Sequence, residues 1–138
     1  MFTAPDDRVS AIRAGIGQTW RHARIHVFGQ LESTNRWLAE HPPDTPTLVI
    51  ADRQTWGRGR QGRHWASPQG GLYFSAGLPL NAAQSVPPAL SLLIGLQLVE
   101  ILHAKGFTGI RLKWPNDLVV HGAKLAGLLV ERLPHTLI

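Results

Sequence analysis

Two β-rich runs, TLVIAD at 47–52 and GLYFSAGLPL at 71–80, are joined by a stretch that is neither apolar nor periodic. Residues 53–65, RQTWGRGRQGRHW, carry Arg53, Arg58, Arg60 and Arg63 together with Gly57, Gly59 and Gly62. Any fold of this chain has to hold that basic segment as a long connection between two strands, and long connections inside compact domains are usually functional or disordered. Its composition suits an anion. Glycines let the backbone approach a ligand and offer its amides. Arginines supply planar, permanently charged donors for carboxylate or phosphate, and tryptophans offer faces for a flat ring. Without an anion the like charges repel, which predicts a mobile empty loop. An RG-rich nucleic-acid tail has the same composition, but a place between two strands favours a ligand loop.

The rest of the composition narrows the classes. At 138 residues, with 43% hydrophobic and 17% charged residues, the chain has the size and balance of one folded domain. A net charge of +5 admits either nucleic acid or a small polyphosphate as partner. Cysteine is absent, which removes disulfides, thiolate metal sites and a cysteine nucleophile, and agrees with a reducing cytoplasm. The seven histidines are scattered, with no pair at the close helical spacing of a zinc site, so no metal ligands are expected. The opening MFTAPDDRVSAIRAG lacks the apolar core of a signal peptide. The longest apolar stretch, 89–102, is interrupted by polar residues and too short to span a bilayer, so no membrane partner is expected.

Periodicity predicts a first helix over 8–22, with Val9, Ile12, Ile16 and Trp20 on one face and Gly15 and Gly17 weakening it. RIHVFGQL reads as a half-buried strand that turns Ile25, Val27 and Gly29 to one side. Ser33, Thr34 and Asn35 precede RWLAEH, as N-caps do. HPPDTP is a loop. Pro87 and Pro88 open the strongest helix, ALSLLIGLQLVEILHAKG, which Gly106 is placed to end; its apolar circumference predicts burial against a sheet. IRLKW, 110–114, reads as a strand ended by Pro115 and Asn116, and His121–Gly122 as a tight hairpin turn between LVV and KLAGLLVE. The mixed order predicts an α/β chain of α+β type, with a mixed sheet packed against helices.

GRGRQG fits the bare dinucleotide-binding pattern, but no helix opens at its glycines, and a P-loop would need Lys-Ser or Lys-Thr where Arg63–His64 stands. A second constellation is KWPND, 113–117, followed by Lys124. Lys113, Asn116, Asp117 and Lys124 could crowd one face at a strand end, where catalytic side chains are commonly mounted. Equally, Asn116 and Asp117 could be turn residues and the lysines solvated charges. Ser33, Thr34 and Asn35 likewise read either as a helix cap or as groups that bind a small polar head such as a urea. No Ser-His-Asp order or paired carboxylates point to hydrolysis.

In their order, these segments resemble biotin–protein ligases: SerThrAsn at 33–35, GRGRQGRHW at 57–65, KWPND at 113–117, and KLAGLLVE at 124–131. Each motif alone is modest, and four in sequence, over about residues 25–131, are specific. The resemblance implies the class II synthetase-like catalytic core of biotin and lipoate ligases, as a single domain over 1–138. It implies adenylation of biotin by ATP with magnesium, then transfer to a lysine of a biotin carboxyl carrier protein. It makes Ser33, Thr34, Asn35, Gln54, Arg58, Gly59, Arg60 and Lys124 biotin-binding, and Trp65, Lys113, Asn116 and Asp117 nucleotide-binding. Lys124, Arg60 and Lys113 become the catalytic candidates.

Larger relatives carry an N-terminal helix-turn-helix domain, for which about two dozen residues leave no room, so DNA is not an expected partner. The family also continues with further core strands and a small C-terminal β domain. On that pattern the chain reads as incomplete at its C-terminus, with an exposed strand edge. Family members can pair through sheet edges, which admits a homodimer. A lipoate-type ligase and a non-catalytic binding fragment are the competing readings.

Overall fold

The computed structural model describes residues 6–81 and 83–138. The chain divides into two compact units, one formed by residues up to Gln84 together with Glu131–Ile138, the other by Ser85–Val130.

The first unit is built on a five-stranded mixed sheet. β1 (Arg24–Phe28) and β2 (Thr47–Ala51) run parallel, Arg24 opposite Thr47 and Phe28 opposite Ala51. Parallel neighbours need a crossover, and α2 (Thr34–Glu40) supplies it. β2 then pairs antiparallel with β5 (Tyr73–Pro79), Val49 opposite Ser75. Leu38 of α2 and Val49 of β2 are fully buried and form the core with Phe28 and Ile138, with Leu31, Trp37 and Leu133 at its margin. β1 departs from simple alternation. Val27 and Phe28 are both buried, one on each face, while Gly29 is exposed and lies beyond the strand. The helix expected over 8–22 is shorter: α1 (Asp6–Gly15) ends at the first of its two glycines, and a separate 3-10 turn, Gln18–Trp20, follows. The two glycines that weaken the periodic pattern are where the helix stops.

Between β2 and β5 the basic segment has secondary structure of its own. β3 (Gln54–Arg58) and β4 (His64–Ser67) form an antiparallel ladder closed by a 3-10 turn at Arg60–Gly62. Gly57 makes the close pairing with Trp65 possible, since a Cβ there would lie 2.6 Å from the Ser67 hydroxyl. The chain's last segment, 131–138, contributes β9 (Arg132–Leu133) and β10 (Thr136–Leu137), and β10 pairs with the edge of β5.

The second unit packs α3 (Leu90–Ala104) on a three-stranded meander, β6 (Ile110–Lys113), β7 (Asp117–Val120) and β8 (Ala123–Gly127). Val99, Ile110 and Leu118 form its core. β7 and β8 meet at His121–Gly122, both with positive φ (49° and 79°), the two-residue turn whose twist matches a hairpin. α3 packs against the sheet as expected, with Gly95 and Val99 covered, while Leu93, Leu96 and Ile101 remain 47–52% exposed. A helix apolar on all sides still touches a three-stranded sheet along only one of them. Among the described residues, no helix is long and apolar enough to cross a membrane.

Candidate active site

Ser33 caps α2, its hydroxyl accepting from the Arg36 amide at 3.4 Å. The cap places Thr34 and Asn35 on the first turn of the helix, beside β3 and β5. Thr34 donates its backbone N–H to Gln54 Oε1 at 2.8 Å, and its hydroxyl lies 3.2 Å from the same oxygen and 2.7 Å from Ser75 Oγ. Ser75 in turn donates to Asn35 Oδ1. Asn35 Nδ2 donates to Glu131 Oε2 at 2.9 Å, and Arg58 donates to Glu131 Oε1 at 2.9 Å. At the other end Gln54 Nε2 donates to Ser67 Oγ at 2.9 Å, and Ser67 donates to the Trp65 carbonyl at 3.2 Å.

Obligate partners orient this network. A backbone N–H can only donate, so Gln54 must turn its oxygen to Thr34 and its nitrogen to Ser67. A carboxylate can only accept, so Asn35 must turn its nitrogen to Glu131 and its oxygen to Ser75. Ser33, Thr34 and Ser75 are 3–5% exposed, so these choices are made in a low-dielectric setting where unmatched groups are costly. The result is a rigid set of donors and acceptors converging from α2, β3 and β5.

The predicted residues of the first unit therefore fall into two groups. Thr34, Asn35, Gln54 and Arg58 share one connected cluster, and Ser33 caps the helix beside it. Gly59 and Arg60 lie at the hairpin turn, where the Gly59 amide donates to the Arg63 carbonyl at 2.7 Å and the Arg60 side chain is exposed. Trp65 sits on β4 opposite Gly57. Ser67, Ser75 and Glu131 belong to the cluster although sequence reasoning gave none of them a role. Ser75 carried a readable signal, a polar residue at an inward position of an apolar strand.

In the second unit, Lys113 and Asp117 face each other across the β6–β7 ladder, with the Lys113 side chain exposed. Asn116 is a turn residue, as one reading had it. Its Nδ2 donates to the Leu128 carbonyl at 2.6 Å and its own carbonyl accepts from the Leu128 amide, tying the turn to the end of β8. Asp117 takes part in an ion pair: its Oδ1 is 2.8 Å from Lys124 Nζ. Asn116, Asp117 and Lys124 are thus gathered at one end of the meander.

The sequence model of the biotin/lipoate A/B protein ligase family matches residues 27–138. The chain belongs to this family. Among relatives, it is 40% identical over 110 residues to the bifunctional ligase/repressor BirA of Escherichia coli, an alignment that covers 78% of this chain and 34% of that protein. Among solved structures, it resembles the biotin acetyl coenzyme A carboxylase synthetase of Helicobacter pylori with bound biotinylated ATP, with a TM-score of 0.72 and 31% identity over 84% of this chain and 58% of that one. It also resembles the biotin protein ligase of Aquifex aeolicus in complex with biotin and ATP, with a TM-score of 0.71 and 35% identity over 83% and 50%. The chain thus spans about a third of the length of the BirA relative and about half that of the solved ligases. The family expected from the four motifs is borne out, as is the mixed α+β fold of a biotin/lipoate ligase.

Proposed function

We propose that the chain is catalytic core of an ATP-dependent biotin–protein ligase, acting in the cytoplasm. The biotin carboxylate attacks the α-phosphate of ATP, supplied as its magnesium complex, and expels pyrophosphate. A lysine amine of a biotin carboxyl carrier protein then attacks the resulting biotinyl-5'-adenylate and releases AMP.

The observation that carries this reading is the polarised cluster of Thr34, Asn35, Gln54 and Ser75. A ureido head has one carbonyl acceptor flanked by two N–H donors, and a fixed array of hydroxyl and amide groups is the chemistry that reads it. Ser33, whose oxygen already accepts from the Arg36 amide, keeps its proton to donate. Arg58, Gly59 and Arg60 fold over biotin and the adenylate, offering charge and a backbone amide. Lys124 contacts the reacting carboxylate and phosphate, where two anions must be brought together and charge develops at phosphorus. Trp65 packs near the adenine, and Lys113, Asn116 and Asp117 serve the nucleotide and its phosphates, Asn116 through its oxygen because its nitrogen is committed to Leu128.

Mass spectrometry of a carrier domain incubated with the chain, biotin and magnesium ATP tests the whole reaction. A mass gain of one biotinyl group on one lysine is expected. No gain, or an equal gain with lipoate in place of biotin, contradicts the reading.

A further inference from the structure

Glu131 stands apart from the residues assigned above, because it touches two of them at once. Its Oε2 accepts from Asn35 Nδ2 and its Oε1 from Arg58 Nη2, each at 2.9 Å. Its backbone is held as firmly. The Glu131 amide donates to the Ile138 carbonyl and the Ile138 amide donates back, both at 2.9 Å, so the carboxylate projects from the closed base of the β9–β10 hairpin. The side chain is 22% exposed, which leaves the carboxylate partly shielded from water.

We propose that Glu131 is a positioning residue for biotin: it fixes the orientation of the Asn35 amide and tethers Arg58 of the glycine–arginine hairpin beside it. This rests on the reading of Asn35 and Arg58 as biotin contacts. Both of its neighbours present donors, so only a group that accepts at both ends satisfies them together. A carboxylate does so. A carboxamide of the same shape cannot, because one end must present N–H to N–H. In Glu131→Gln, then, either Asn35 turns over, which reverses its bond with Ser75 and the hydroxyl order beyond it, or Arg58 is released. Either change disorders the array that reads the ligand without removing any side-chain volume from the core.

Equilibrium binding of biotin to the full chain without ATP, measured by titration calorimetry, tests this. Glu131→Gln is expected to weaken biotin by roughly tenfold to a hundredfold, the loss that follows when a charge-assisted bond is replaced by a mismatched one, with cooperative melting retained. In an Asn35→Ala background the same substitution should cost less, because Glu131 acts partly through Asn35; a purely structural role would give additive losses. Glu131→Asp keeps two acceptors and should bind biotin better than Glu131→Gln, and it decides the matter if the glutamine variant fails to fold. Wild-type affinity in Glu131→Gln, additive losses in the double variant, or an aspartate variant no better than glutamine would overturn this inference while leaving the ligase reading intact. A wild-type chain that does not bind biotin overturns the ligase reading, and this inference with it.

Discussion

Lys124 Nζ lies 2.8 Å from Asp117 Oδ1, and the lysine reaches the aspartate by folding back over Gly127. Gly127 faces Asp117 in the β7–β8 ladder, and a Cβ at that position would sit 3.3 Å from Lys124 Cε. The glycine of KLAG is therefore the floor on which the lysine rests. Lys124→Ala is expected to lower adenylation by ~10²–10³-fold, the loss of one preorganised donor at a developing charge. Gly127→Val should displace the ammonium group and lower the rate by less than the alanine variant does. Single-turnover pyrophosphate release measures both, and near-normal turnover in Lys124→Ala would remove the lysine from the mechanism.

Gly57 supports the hairpin. An added Cβ would come within 2.6 Å of Ser67 Oγ and nearer still to the Trp65 carbonyl oxygen, a backbone atom that cannot swing away. Gly57→Ala should destabilise the chain by about 1–3 kcal/mol, the cost of forcing an extra carbon into a closed contact. Urea unfolding measures it; an unchanged midpoint would show that the ladder opens without cost.

Arg60 is exposed at the hairpin turn, and on the proposed reading it folds over biotin and the adenylate. Arg60→Gly should raise the release of free biotinyl-adenylate, because a lid that excludes water and retains the intermediate has lost its charged contact. Chromatographic separation of free and retained adenylate checks this. Unchanged release would leave the turn without a lid function.

The His26 ring lies tilted against Trp37 at a centroid separation of 4.8 Å, and Trp37 stacks on His41 at 4.3 Å. Burial, and then repulsion from Arg24 and His41, hold the His26 imidazolium below the ordinary histidine range. The fold thus prefers the neutral ring. Below the unfolded value of about 6.5 the unfolded chain takes up the proton more readily, so this stability is present above that pH and is lost as pH falls toward the folded value. The melting temperature should drop as the pH falls below about 6.5, and less steeply in His26→Phe. An equal slope in both would place the acid sensitivity elsewhere.

The strands and the crossover helix were legible because their signals are local. TLVIAD is apolar enough to be β2 on composition alone, Ser33 announces the start of α2, and His121–Gly122 admits the left-handed turn that joins β7 to β8. What could not be read is long-range. The ladder of β3 and β4 depends on Gly57 passing close to Trp65, which no periodicity marks. The return of 131–138 to the edge of β5 is carried by two-residue strands, shorter than any pattern can resolve. That return is also why Glu131 went without a role: it stands 96 positions from Asn35 and 73 from Arg58, and only the sheet brings them together. The even-handed reading of KWPND was divided by residue, Asn116 clamping a turn and Asp117 engaging Lys124.

The most direct test is pyrophosphate release by the purified chain with magnesium ATP, comparing added biotin with added lipoate. Release that depends on biotin and not on lipoate is the predicted result. Release driven by lipoate, or none with either acid from a sample shown to be folded, would contradict the account.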